Sequence, residues 1–233
     1  MATRTTHGSV LLIGASRGLG LAIAAEYVAR GARVVATVRG SGRTALHELR
    51  EESGGLLEIQ EGVDVTVPGQ VRALRRRLEG CSFELLLVNA GIATNSDPAD
   101  ITDEEFNRVM TTNALGPLRA IELLGDLLGA DGTIAVMSSG QGSVANNSRG
   151  GFDVYRASKS ALNQLVRSYA ARHVDDPRTL LLLAPGWVRT SLGGSDAPLS
   201  IEETIPHLVT TVDNQRGHGG LQYLDRFGGV VPW

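Results

Sequence analysis

Short apolar runs alternate with longer stretches of helical periodicity along nearly the whole chain. Residues 10–13 (Val-Leu-Leu-Ile) read as a strand buried on both faces, because four consecutive apolar residues leave no side for solvent. A glycine-rich turn over 14–20 leads into a helix with apolar positions Leu19, Ile23, Tyr27 and Val28, closed by Gly31 just past its end. Further strands are expected over 34–38, 56–63, 85–88, 133–137 and 180–183. Helices are expected over 71–78, with Pro68 near its start, and from about 155 to 172. A long helical region from about 103 to 128 is interrupted at Gly116-Pro117, where a kink or break is expected. Beyond Pro185-Gly186 the pattern weakens to a helix over 201–212 and a last short strand over 221–224. This alternation predicts an α/β fold, a parallel sheet covered by helices on both faces. No repeat, low-complexity tract or linker divides the chain, so one domain over 1–233 is expected.

Composition narrows the class. With 42% hydrophobic and 20% charged residues the chain is an ordinary globular one. A net charge of −3 gives no electrostatic case for nucleic acid or an anionic membrane. Arg75-Arg76-Arg77 reads as one solvated helix face. The single cysteine, Cys81, excludes an intrachain disulfide and suits a reducing compartment. The polar opening residues read as no signal peptide, and no run approaches the ~18 apolar residues of a membrane span. A cytoplasmic location is expected. No His/Cys cluster has metal spacing.

The charged residues are unevenly chosen: twenty-one arginines and one lysine, Lys159. It stands four residues after Tyr155, so both side chains share a helix face. A cation beside a phenol favours the phenolate and lowers its pKa, which suits proton transfer at an alcohol or carbonyl oxygen.

Gly14-Ala-Ser-Arg-Gly18-Leu-Gly20 lies between strand and helix, where backbone N–H groups can face a pyrophosphate. Its G-x-x-x-G-x-G spacing resembles that of the short-chain dehydrogenases/reductases, and further motifs follow in that family's order. Gly14, Gly18 and Gly20, with Ser16, Arg17 and Leu19 between them, match the cofactor turn. Asp64-Val65 matches the adenine-contacting pair and Asn89-Ala90-Gly91 the turn after the fourth strand. Asn113, Ser139, Tyr155 and Lys159 match the catalytic residues. Pro185-Gly186-Trp187-Val188-Arg189-Thr190 resembles the segment that closes over the nicotinamide. Ile13 and Val88 depart from the family's usual Thr and Asn. The interval from Ser139 to Tyr155 is long, with 146–151 as its apparent insertion. Ser138 competes with Ser139, and strand alternation lets only one face the substrate; the family alignment favours Ser139. The closing Pro232-Trp233 and Tyr-Arg-Ala-Ser-Lys resemble the C-factor and sniffer-type carbonyl reductase branch.

The resemblance implies a single-domain doubly wound Rossmann fold and a nicotinamide-dependent oxidoreductase acting on a carbonyl or secondary alcohol. Tyr155 would be the acid/base and Ser139 would hold the reacting oxygen. Lys159 would lower the Tyr155 pKa and hold the nicotinamide ribose, and Asn113 would anchor a water. A homo-oligomer, dimer or tetramer, is also implied. An NAD site usually places an acid about 20 residues beyond the glycine turn. No Asp or Glu lies between Tyr27 and His47, a stretch that carries Arg33, Arg39 and Arg43. Arg17 and Arg39 suit a 2′-phosphate, so NADP is expected rather than NAD. A substrate lid is expected over 191–206, and its scarcity of aromatics gives no indication of stacking. Two other readings fit the fold: a non-turnover dinucleotide-binding regulator, and a family member catalysing epimerisation or dehydration.

Overall fold

The computed structural model describes residues 8–233; the opening residues read as no signal peptide lie almost wholly outside the described residues. Seven strands form one parallel sheet in the order β3-β2-β1-β4-β5-β6-β7. They are β1 (Ser9–Ile13), β2 (Arg33–Thr37), β3 (Leu57–Gln60), β4 (Phe83–Val88), β5 (Leu128–Met137), β6 (Thr179–Ala184) and β7 (Gly220–Asp225). The helices between them are α1 (Gly18–Ala29), α2 (Ala45–Glu52), α3 (Pro68–Arg77), α4 (Asp103–Met110), α5 (Gly116–Leu124), α6 (Asp153–Arg172) and α7 (Ile201–Asn214).

The apolar strands are explained by what covers them. Alternate residues point to opposite faces. Leu11, Ile13, Leu86, Val88, Ile134, Val136, Leu180 and Leu182 enter one core, which α3, α5 and α6 close with Leu74, Ile121, Leu124, Leu162 and Val166. Val10, Leu12, Leu85, Leu87, Leu181 and Leu183 enter a second core, closed by Ile23 and Tyr27 of α1, Leu46 of α2, and Leu208 and Val212 of α7. With helices on both faces, a polar residue in these strands would be stranded in either core.

Three elements differ from the sequence pattern. The pattern left 39–55 unassigned, yet α2 forms there, opened by a capping box in which Thr44 pairs with His47 instead of the usual Glu or Gln. The expected break at Gly116-Pro117 falls one turn earlier, as a π-helical turn over Thr111–Leu115 in which Gly116 N–H bonds Thr111 O. Pro117 has no N–H to return to Asn113, and a widened turn absorbs the loss without ending the helix. Gly116 is fixed by packing: a Cβ there would lie 2.8 Å from Val65 Cγ2. Finally, the last part of the expected lid, 201–206, is helical. These residues are the first turns of α7, with Thr204 and Ile205 buried and a Ser200–Glu203 capping box at the start. The exposed excursion is confined to 191–200, and Arg189 Nη1 ties it down by donating to the carbonyls of Ala197 at 2.9 Å and Pro198 at 3.0 Å.

Candidate active site

The strand order reverses between β1 and β4, and ligands of open α/β sheets lie at the carboxyl edge of such a switch point. There the turn after β1 meets the turn after β4. Asn89 and Ala90 both donate their N–H to Ile13 O, at 2.9 and 3.2 Å. Asn89 Nδ2 donates to Gly14 O at 2.8 Å. Gly14 has a φ of 88°, and a Cβ would stand 2.9 Å from Ala90 N. At Gly20 a Cβ would lie 2.1 Å from Gly14 O, so the start of α1 packs against the turn with no room for a side chain. Thr37, at the end of β2, takes the N–H of Gly14 on its hydroxyl at 3.0 Å and that of Ala15 on its carbonyl at 2.9 Å. Thr37 was not singled out in the sequence; a polar residue closing an apolar strand was its only signal.

No side chain caps α1, whose N-cap is Arg17, so its first N–H groups stay open toward the turn. Ser16 and Leu19 are half-buried in this turn. The four arginines separate clearly. Arg33 opens β2 at the sheet's opposite edge, and Arg43 is held by Glu51 at 2.9 and 3.0 Å. Arg17 and Arg39 are exposed with no ion-pair partner among the described residues.

Asp64 Oδ1 accepts the N–H of Thr66 at 2.8 Å and its hydroxyl at 2.6 Å. Val65 points into the core beside Gly116, which leaves only its backbone for a ligand. The segment after β6 returns over the glycine turn: the Cβ that Gly18 lacks would be 3.8 Å from the Thr190 methyl. Pro185 and Val188 are buried and Gly186 is exposed, with Val188 bridging to Leu199.

Helix α6 carries Tyr155, Lys159 and Asn163 at four-residue intervals on one face. Lys159 is 3% exposed, and its Nζ donates to Met137 O at 2.8 Å. No ion pair to it is present among the described residues, and burial holds its amine down at about 8. Its Nζ lies 6.0 Å from the Tyr155 ring centroid, and a Cβ on Gly91 would be 3.6 Å from it.

Tyr155 departs from expectation. Burial pushes its phenol above the ordinary range, a hydrogen bond with the Ser139 side chain opposes that, and Tyr223 adds a smaller upward push. Lys159 is not among the groups that shift it, since the amine is turned to Met137 O.

The two serines divide as alternation requires. Ser138 is buried and donates to Asn163 Oδ1 at 2.6 Å, while Ser139 faces Tyr155 and is partly open. The Tyr223 hydroxyl, reaching across from β7, donates to the Ser139 carbonyl. Asn163 Nδ2 and Ser160 Oγ donate to Gly142 O, at 3.2 and 2.9 Å. This whole segment is therefore pinned from behind. Asn163 was legible as the third member of the α6 face; Tyr223 was not, because its contact spans 84 residues.

Asn113 pairs both ends of its side-chain amide. Its Oδ1 takes Ile92 N–H at 2.8 Å, and its Nδ2 donates to Ile92 O at 2.7 Å and Ser158 Oγ at 2.9 Å. Ser158 in turn donates to Tyr155 O at 2.7 Å. The fully buried side-chain amide is committed to holding Ile92 and α6. Among the described residues no cluster of His, Cys, Asp and Glu could hold a metal ion, and no helix is long and apolar enough to cross a membrane.

An open helix start at the switch point, with a phenol and a buried amine on α6 across the sheet, defines the class of nicotinamide-dependent oxidoreductases. Residues 9–198 match the short chain dehydrogenase family, and the chain belongs to it. It is similar to the C-signal of Myxococcus xanthus, 35% identical over 153 residues that cover 64% of this chain and 92% of that one. A short-chain dehydrogenase/reductase from Burkholderia multivorans with bound NADP is 49% identical, with a TM-score of 0.95 over 97% of this chain and 100% of that one. A carbonyl reductase from Pseudomonas aeruginosa PAO1 in complex with NADP is 37% identical, with a TM-score of 0.90 over 98% of this chain and 100% of that one.

Proposed function

We propose that the protein interconverts a carbonyl compound and the corresponding alcohol with NADP as its cofactor. The observation that carries this is Lys159, the chain's only lysine, buried without an acid beside Tyr155. A structural lysine would be expected on the surface, and a buried cation persists where chemistry needs it.

The residues suit the cofactor. The side-chain-free surface at Gly14 and Gly20 and the uncapped start of α1 fit a pyrophosphate. Arg17 and Arg39, without an ion-pair partner among the described residues, fit the 2′-phosphate, and the Burkholderia and Pseudomonas structures carry NADP. Asp64 and the Val65 backbone would serve the adenine, with Ala90 and Gly91 as the floor and Pro185, Gly186, Val188 and Thr190 as the cover. Asn89 acts by shaping the glycine turn. When bound, the nicotinamide supplies the hydride for reduction or takes it in oxidation.

Tyr155 gives its proton to the carbonyl oxygen. Its raised pKa keeps the phenol protonated at neutral pH, which suits the reductive direction. Ser139, whose side chain opposes the rise of the Tyr155 pKa, directs its hydroxyl at the same oxygen. Lys159 holds the nicotinamide ribose, as the family resemblance assigns. Asn113 acts as a positioning residue, fixing α6 through Ser158. The homo-oligomer implied by the resemblance stays part of this proposal.

The test is Tyr155→Phe, assayed by NADPH consumption over a panel of aldehydes, ketones and quinones. Turnover should vanish while NADPH binding stays near wild type. A variant that keeps a tenth of kcat shows that Tyr155 is not the donor. The similarity to C-signal favours a second reading, a dinucleotide-binding signalling protein without turnover. Tight NADPH binding by the wild type with no consumption across the panel would select it.

A further inference from the structure

Helix α6 turns an apolar face to the sheet, and Asn163 interrupts it. Leu162 and Val166 enter the core beside it, yet the asparagine is as deeply placed as they are, at 3% exposure. Its amide joins three elements. Oδ1 accepts the hydroxyl of Ser138, just past the end of β5, at 2.6 Å, and Nδ2 donates to Gly142 O at 3.2 Å. Burial pushes the Tyr223 phenol up, and the side chains of Asn163 and Ser138 both oppose that, so β7 enters the same group.

Stability alone does not call for these polar groups. Leucine at 163 and alanine at 138 would fill nearly the same space, and replacing both partners of a buried hydrogen bond by apolar groups can be close to neutral. What apolar packing lacks is direction. Hydrogen bonds fix the distance and orientation of the groups they join.

The groups joined here belong to the turn that begins at Ser139 and runs through Gly140–Gly142. At its start, Ser139 Oγ accepts Gln141 N–H at 3.1 Å, and Ser139 O accepts Gly142 N–H at 2.8 Å and the Tyr223 hydroxyl. At its end, Gly142 O accepts Asn163 Nδ2 and, at 2.9 Å, Ser160 Oγ. Gly142 rests directly on α6, since a Cβ there would lie 3.0 Å from both Asn163 Nδ2 and Lys159 Cβ. Asn163 stands one turn beyond Lys159 and two beyond Tyr155. One side chain therefore ties the turn that carries Ser139 to the helix that carries Tyr155 and Lys159.

We propose that Asn163 is a positioning residue for the reaction: by holding Ser138 and Gly142 O it fixes the Ser139 hydroxyl relative to the Tyr155 phenol. It acts through Ser139. This rests on the roles given to Tyr155 and Ser139 above.

Two variants separate position from packing. Asn163→Leu keeps the volume and removes both bonds. Asn163→Asp keeps the acceptor for Ser138, and its neutral acid can still donate to Gly142 O; once ionised it offers that carbonyl only acceptors. Measured are kcat and KM against pH with the fastest-reduced compound of the panel above, NADPH affinity, and Tm. Tyr155 ionisation is followed by ultraviolet titration, each protein being subtracted from its counterpart carrying Tyr155→Phe. Asn163→Leu should lower kcat roughly tenfold with NADPH binding unchanged. Its Tyr155 titration should be displaced, because the Ser139 side chain acts on that phenol. The kcat of Asn163→Asp relative to wild type should be near one at acid pH and fall as the carboxyl ionises. A Leu variant with a lowered Tm but wild-type kcat and Tyr155 titration shows a residue that only packs, and overturns the proposal. So does a fall in kcat matched by an equal loss of NADPH affinity. If Asn163→Leu does not fold, Asn163→Asp decides: a kcat that parallels wild type across pH overturns the proposal. A wild type that turns over nothing in the panel overturns the reductase reading instead, and the Tyr155 titration then decides on Asn163.

Discussion

Replacing Lys159 by Met separates what the lysine costs the fold from what it does for the reaction. Its amine is buried, bonded to Met137 O, and held at about 8 by desolvation against an ordinary 10.5. Between those two values the unfolded chain carries a proton on Lys159 that the folded chain does not. Stability therefore rises with pH across this window. Below pH 8 the penalty is fully present, and the gap corresponds to about 3 kcal/mol. Methionine has a similar stem and no charge, so it removes the penalty. It also leaves Met137 O without its side-chain donor, which costs ~1–3 kcal/mol. At pH 7 the two effects nearly cancel, and the variant should lie within about 2 kcal/mol of wild type.

The pH-dependent part does not cancel. Urea unfolding from pH 7 to 10.5 should show wild type gaining about 3 kcal/mol relative to Lys159→Met. Tyr27, Tyr155 and Tyr223, all raised by burial, erode the stability of both proteins at the alkaline end and drop out of the difference. Turnover should be lost across the whole range. Parallel stability curves for the two proteins would refute the reasoning, because a lysine that titrates alike in both states carries no burial penalty.

Two further substitutions test the cofactor end and the back of the site. Arg39→Asp should shift the NADPH-to-NADH affinity ratio by roughly 10- to 100-fold, since a charge-assisted hydrogen bond contributes ~1.5–3 kcal/mol. Fluorescence titration reads the ratio, and an unchanged value removes Arg39 from the 2′-phosphate site. Tyr223→Phe removes the donor to the Ser139 carbonyl and so loosens the hydrogen bond that holds the Tyr155 phenol down. The expected result is a kcat roughly tenfold lower, as for a small misplacement of a reacting group, with a displaced kcat–pH profile, because both the Ser139 contact and the Tyr223 push on Tyr155 change. An unmoved kcat–pH profile in a folded Tyr223→Phe protein would show that Tyr223 only packs.

What was legible in the sequence was what local spacing encodes. The central strands read clearly because burial on both faces keeps their middles apolar. Tyr155, Lys159 and the glycine turn read clearly because their geometry spans one or two helical turns. Ser139 was preferred to Ser138 on family alignment, and the structure turns it toward Tyr155. The misses needed contacts that spacing does not carry. Helix α2 has a strongly polar sequence and a histidine in its capping box, so neither periodicity nor cap motif marked it. The Asn113 side-chain bonds to Ile92 and Ser158 were not legible, because they span 21 and 45 residues.

The lone lysine now has a physical explanation that charge alone could not provide. An arginine in that position would stay fully ionised at any accessible pH, and its broad guanidinium would have to be desolvated with no acid to balance it. The lysine amine is small enough for the space between Met137 O and Gly91, and burial brings its pKa to about 8, close to neutrality. It can lose or regain a proton there, and a ligand that brings oxygen acceptors to it would favour the charged form. Neither behaviour is open to arginine. In a chain whose other basic side chains of this kind are all arginine, the exception falls at a buried position beside Tyr155, where the space admits a compact amine.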